Sequence, residues 1–390
     1  MGLAAQTTRT AASPITDALT SVADRLVSTQ TKTGASRGSW PQATDFTGTI
    51  LIGMVGAYED TCDGDYVTVL TRAGDYILRI GQGLYYGEEA WGLVRLGNTV
   101  NTSYRTAVVD FFHDVKYVNA GSTASFISLW NSSTPSAAVI DFAHYAVAAY
   151  AVDAEDKALW RQAILTHLRK MSDDTEDYPV LTLAVATWGL TLTGPMDGTL
   201  VKPGTTGLAL WNSVTLADLP AMVADHQVPA GQEFDGSFYW RLDKTDGGYG
   251  VSWHAGYTED TAFGTLALIA CRDKLDLDYD DGIARASTAL LGGVGAGGVV
   301  DGHLFFDDAV SHMFAGEMAN ALSALTAPAD LNLDGRVDAA DYSRFAAQWG
   351  AAGCAGCSWC NGADLDRNGV VNFSDLKIFA GSYWLAGAGY

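Results

Sequence analysis

Between residues 14 and 325 apolar positions recur at helical spacing, in segments of two kinds. One kind is apolar almost all round and rich in Gly and Ala: FTGTILIGMVGAY (46–58), EEAWGLVRLG (88–97), AAVIDFAHYAVAAYAV (137–152), YPVLTLAVATWGLTL (178–192), DTAFGTLALIA (260–270) and DAVSHMFAGEMANALSAL (308–325). The other is one-sided: ITDALTSVADRLVST (15–29), YVTVLTRAGDYILRI (66–80), YRTAVVDFFHDV (104–115), DKALWRQAILTHLRKM (156–171), LADLPAMVADHQ (216–227) and DDGIARASTALL (280–291). A helix apolar on every side is buried, whereas a one-sided helix covers a core. Strict alternation of the two predicts an inner ring of six helices wrapped by an outer ring, an all-α (α/α)6 toroid. Small residues on the inner helices allow close packing around the axis.

The connections RGSWPQATD, GLYYGEEAW, GSFYWRLDKTDGGYGVSWHAGYTED and GGVVDGHLFFDD all precede inner helices, so they gather at one mouth of the ring. Acids begin nearly every inner segment: Asp45, Glu88 and Glu89, Glu176 and Asp177, Glu259 and Asp260, Asp307 and Asp308. Carboxylates there can simply cap free N–H groups and favour the helix dipole. They also stand beside aromatic residues with apolar faces suited to sugar rings, chiefly Trp40, Tyr86, Trp91, Trp240, Tyr249 and Trp253. Paired carboxylates at a mouth suit glycoside hydrolysis. A neighbouring His and Tyr suit β-elimination, one to remove a proton and one to deliver it to the leaving oxygen. The densest candidate is SWHAGYTED, with His254, Tyr257, Glu259 and Asp260. Glu88, Glu89 and His144, the last three residues from Asp141 on one helix face, complete the catalytic candidates.

The architecture resembles two groups, terpenoid-cyclase-like toroids and (α/α)6 carbohydrate-active enzymes. Fold alone does not choose between them. DYDD (278–281) has the form of the protonating acid of cyclases and DDTED (173–177) that of a diphosphate–magnesium motif. The first precedes an outer helix and the second falls in a loop, so neither placement suits an isoprenoid cavity. Hydrolase, lyase and a non-catalytic glycan-binding ring remain open. Few bases, Arg37, Arg95, Arg241 and Lys244, stand near mouth loops to meet a uronate.

The C-terminal pattern is different. ADLDRNGVVNFSDL (363–376) places hard oxygens at every second position: Asp364, Asp366, Asn368, the Val370 carbonyl, Asn372 and Asp375, with Gly369 at the turn. That is the ligand spacing of a calcium loop. The same spacing starts 34 residues earlier, as Asp330, Asn332, Asp334, the Arg336 carbonyl, Asp338 and Asp341. Each loop is followed by a short apolar helix, and Pro328 blocks an entering one. Duplicated loop–helix units with Asp at position 12 resemble the type I dockerin module. The resemblance implies two bound Ca2+ ions, secretion and a cohesin-like docking partner. The family's partner-reading pair is often Ser-Thr, but here it is Ala339-Ala340 and Phe373-Ser374. The expected division is therefore a toroid over 1–326 and a dockerin-like module over 327–390.

Charge narrows the partners further. The net charge of −22 disfavours nucleic acid. No apolar run is long enough to span a bilayer. MGLAAQ resembles the tail of a cleaved secretory leader behind an initiating Met. Cys354, Cys357 and Cys360 form C-x-x-C-x-x-C; with no following His to complete a zinc site, a disulfide with one thiol left over is expected.

Overall fold

The computed structural model describes residues 13–118, 121–130, 134–172, 178–204, 208–245, 254–306, 308–326, 329–331, 337–354, 360–365 and 369–387. Its helices are α1 (Pro14–Thr29), α2 (Thr47–Thr61), α3 (Gly64–Gly81), α4 (Gly87–Thr99), α5 (Thr102–Val118), α6 (Thr123–Leu129), α7 (Pro135–Ala151), α8 (Lys157–Leu168), α9 (Pro179–Thr193), α10 (Leu219–Asp225), α11 (Thr258–Leu275), α12 (Asp280–Gly292), α13 (His312–Leu325), α14 (Ala339–Ala347) and α15 (Phe373–Gly387). Caps set several starts. Ser13 Oγ accepts from Thr16 N ahead of Pro14, and Thr134 Oγ1 accepts from Ala137 N ahead of Pro135.

Helices α2, α4, α7, α9, α11 and α13 pack in that order, and α13 returns to α2, closing the inner ring. Helices α1, α3, α5, α8, α10 and α12 lie outside it. This is the (α/α)6 toroid expected from the alternating pattern. Two details differ. The sixth inner helix starts at His312 and not at 308, and α6 is an extra turn packed between α5 and α8. Close approach of the inner helices depends on glycine. A Cβ on Gly53 of α2 would sit 2.2 Å from the Gly316 carbonyl of α13, and one on Gly48 would sit 2.5 Å from the Glu89 amide of α4.

The long segment between α10 and α11 is laid down by isolated antiparallel bridges, Gln227 to Phe238, Tyr239 to Ala255 and Tyr257 to His303. Val228, Phe234, Tyr239 and Ala255 bury a small apolar cluster beneath it. No described helix is long and apolar enough to cross a membrane.

Residues 329–379 bury an apolar cluster of their own around Phe345 and Phe379, whose rings stack at 5.1 Å. The two loop–helix units repeat one another in hydrogen bonding. Asp338 N donates to Asp341 Oδ2 at 2.9 Å, as Asn372 N does to Asp375 Oδ2 at 2.8 Å. Asp338 Oδ1 accepts from Ala340 N at 2.7 Å, as Asn372 Oδ1 does from Ser374 N at 2.8 Å. Cys354 and Cys360 form a disulfide, and Cys357 lies outside the described residues.

Candidate active site

The inner-helix N-termini meet at one end of the ring: Gly48 packs on Glu89, Gly87 on Asp141, and the Leu181 amide faces Asp260. At about 1.5 Å per residue, helix position gives depth below this mouth. Glu88 and Glu259 are second residues of α4 and α11, helices on opposite sides of the ring, and both are half-buried. Asp260 is fully buried, and neither of its carboxylate oxygens has a hydrogen-bond partner of normal geometry. Glu317 lies five residues into α13, about 7 Å down. It is 6% exposed, and its Oε2 has no partner.

Burial holds these acids up. The Glu259 carboxyl is pushed to about 7 by burial and then by the charge of Glu88. Burial raises Glu88 too, opposed by the hydroxyl of Thr49 beside it. Asp260 and Glu317 are driven well above the carboxylate range by burial; Glu259 adds to both, and Glu88 and Asp260 add to Glu317. Glu89 is 4% exposed and turned back to accept from Tyr86 N at 3.1 Å. It therefore caps α4, yet burial still lifts it to about 7, helped by Glu88 and Asp141.

Asp141 ties the wall together. Its Oδ1 accepts from Gly87 N at 3.2 Å and its Oδ2 from Trp130 Nε1 at 3.0 Å. Burial nonetheless lifts it to about 7, with Glu88 adding to the rise. Trp130 meets Tyr86 edge-on at 5.7 Å, and Tyr86 is 58% exposed. Other exposed aromatics precede inner helices in the same way: Phe46 before α2, Tyr178 before α9, and Phe305 and Phe306 before α13. Trp91 and Trp240 are half-buried, and Trp240 packs against Tyr257 at 6.3 Å.

Several expected residues take other places. Trp40 is a correction: it is fully buried and donates from Nε1 to the Leu26 carbonyl at 2.8 Å, so it has no face for a sugar. His144 lies about 13 Å down, 1% exposed, with its ring between Trp188 and Phe263 at 5.0 and 5.8 Å. Its Nδ1 donates to Ile140 O, and burial lowers its pKa to about 4, so it forms a neutral floor under the carboxylates. His254 stacks on Tyr239 at 5.5 Å, within the bridged segment. The ring that touches Tyr257, at 5.3 Å, is His303. Both His303 nitrogens are used, Nε2 donating to Ala255 O and Nδ1 accepting from Phe305 N. Tyr249 and Trp253 lie outside the described residues, as do DDTED, Asp307 and the loop positions Asn332, Asp334, Arg336, Asp366 and Asn368.

Three of the four bases expected at the mouth are paired with acids. Arg95 is near the far end of the ring, paired with Glu59 at 2.7 Å and donating to Asn320. Arg241 pairs with Asp243 at 3.4 Å and Lys244 with Asp225 at 2.8 Å. Asp280 of DYDD pairs with Arg272 at 3.5 Å on an outer helix. Glu317 and Trp130 escaped the sequence reading. A lone acid inside the Ala/Gly-rich stretch FAGEMANAL was the available signal for Glu317.

In the C-terminal units, Asp330, Asp341, Asp364 and Asp375 are all buried, at 7%, 0%, 2% and 0% exposure. Gly369, with φ +93°, turns its N–H onto Asp364 Oδ2 at 2.8 Å. Buried carboxylates at positions 1 and 12 of both loops fit a hard divalent cation.

Comparisons with known proteins place the fold. No protein family and no curated protein matches the sequence. Among solved structures, the chain is similar to the GH76A α-1,6-mannanase of Salegentibacter sp. HEL1_6, at TM-score 0.52 and 13% identity, over 80% of this chain and 99% of that one. An inactive variant of that enzyme, with two adjacent aspartates changed to asparagine, matches equally well in complex with α-1,6-mannotriose. A polysaccharide lyase matches at TM-score 0.52 and 13% identity, over 80% of this chain and 96% of that one. At that identity the shared property is the helical toroid, which this chain has.

Proposed function

We propose that the ring is a polysaccharide-cleaving enzyme, a glycoside hydrolase in which Glu259 is the acid and Glu88 the base or nucleophile. The observation that carries this reading is the pair itself: two carboxyls at the N-termini of opposite inner helices, on half-buried residues and each held up by burial. Glu259, lifted to about 7, keeps its proton at neutral pH and can deliver it to a glycosidic oxygen. Thr49 beside Glu88 favours the charged form there, and the charge of Glu88 in turn helps Glu259 keep its proton. Exposed aromatics around the mouth supply sugar platforms. The mannanase fold, whose inactive variant lost two adjacent acids, supports the same reading, since Glu88–Glu89 and Glu259–Asp260 are adjacent acid pairs here. Elimination is less well supported, because Arg241 and Lys244 are paired away and the histidine against Tyr257 has no free nitrogen.

The C-terminal units, on this reading, bind two Ca2+ ions and dock the enzyme to a cohesin-like partner outside the cell. The exposed Phe373 (77%) and Trp349 (45%), in edge contact at 5.1 Å, support a docking face. The test is the full chain on a panel of polysaccharides. New reducing ends without unsaturated products are expected, and Glu88→Gln or Glu259→Gln should lower turnover about 10²–10⁴-fold with melting unchanged. Variants that keep wild-type turnover, or a chain inert on every glycan, would remove the hydrolase assignment.

A further inference from the structure

Glycoside hydrolysis needs two carboxyls, and this mouth holds more than that. Glu88, Glu259, Asp260 and Glu317 come from three inner helices and act on one another. None forms an ion pair with a Lys, Arg or His among the described residues. Two of them, Asp260 and Glu317, are more than nine-tenths buried; the Leu181 amide faces Asp260, whereas Glu317 Oε2 lacks a partner. Buried polar groups are normally satisfied, and an exception has a reason: strain, a chemical role, or a bound water, ion or ligand. Helix capping does not account for Glu317, which sits in its helix's second turn, where the backbone N–H groups are already paired. Among the described residues no three acids, histidines or cysteines come close enough to chelate a metal ion. The charge is spread over a cup, which suits an organic cation held on a ring better than a compact ion. Exposed aromatic residues before the inner helices, and the buried rings of His144, Trp188 and Phe263 packed on one another, give these carboxyls the surroundings of a sugar site.

We propose that these carboxyls form a subsite for a sugar bearing a free ammonium group, so that the substrate is a glycan of de-N-acetylated amino sugars. The inference rests on the hydrolase reading and names its substrate class. An ammonium brings three donors and one positive charge to these carboxyls, and its charge favours their ionised forms. An N-acetyl or hydroxyl group at the same carbon brings no charge, so the buried carboxyls keep their protons.

The experiment is titration calorimetry of the full chain with three oligosaccharides: a glucosamine tetramer, its fully N-acetylated form and α-1,6-mannotetraose. The glucosamine tetramer should bind at least about tenfold more tightly than the other two, a difference of about 1.4 kcal/mol. Its binding should also release protons, seen as a heat that changes with buffer ionisation enthalpy. Glu317→Gln should abolish that preference while the protein melts normally; Asp260→Asn serves the same purpose should Glu317→Gln fail to fold. Equal or tighter binding of either neutral oligosaccharide overturns the proposal and leaves the hydrolase reading standing. So does oligolysine binding as tightly as the glucosamine tetramer, since the attraction is then charge alone. A preference unchanged in both variants overturns it as well. Absence of binding for all three glycans overturns the proposal, while the hydrolase reading falls only with a chain inert on the whole polysaccharide panel.

Discussion

Glu89→Gln separates a neutral, buried carboxyl from an ordinary helix cap. Glu89 is 4% exposed, and its carboxyl is raised from 4.5 to about 7, mainly by burial. Since its folded value lies above its unfolded one, its contribution to stability is fully present below about 4.5. It is lost as pH rises through 7. Linkage over these two values gives about 2.5 kcal/mol of stability lost between pH 5 and pH 8. Glutamine keeps an oxygen for the Tyr86 N–H but cannot ionise. The stability of Glu89→Gln relative to wild type should therefore rise by about 2–3 kcal/mol from pH 5 to pH 8. Taking the difference matters, because His144 and His167 are both lowered to about 4 by burial and pull wild-type stability the other way below pH 6.5. Urea unfolding of both proteins at the two pH values, with calcium fixed, measures it. A swing near zero, or of opposite sign, would mean an ionised capping carboxylate and would refute the account of a proton-retaining mouth.

Tyr86→Ala should weaken glycan binding, by about 1–3 kcal/mol if the ring stacks on a sugar as aromatic platforms do on other flat ligands, with little change in melting. Trp40→Phe should do the reverse, costing about 1–3 kcal/mol of stability through its lost bond to Leu26 while leaving binding intact. Gly53→Ala should destabilise the ring by about 1–3 kcal/mol, since its Cβ would fall 2.2 Å from the Gly316 carbonyl; calorimetric melting reads this directly. Calcium should raise the melting of the C-terminal units in the full chain and leave that of the ring unchanged, with Asp364→Ala blunting the response. Melting of those units that ignores both calcium and chelator would remove the metal sites.

The sequence by itself determined the architecture. A helix apolar on every side must be buried and a one-sided helix covers it, so the alternation already put FTGTILIGMVGAY and YPVLTLAVATWGLTL in an inner layer. The duplicated oxygen spacing was equally legible, because a loop's ligands are all local in the chain. Tertiary structure decided which mouth residues face the cavity. Trp40 and Tyr86 are both aromatics in loops before inner helices, yet one is pinned beneath the outer helix α1 and the other stands in solvent. Arg95 and Glu317 show the same limit at longer range. Each is a charge set within the apolar stretch of an inner helix, but Arg95 meets Glu59 near the far end while Glu317 is acted on by other acids. Periodicity gives a residue its helix face; depth along the axis, and the groups brought there by the five other inner helices, are settled only when the ring closes.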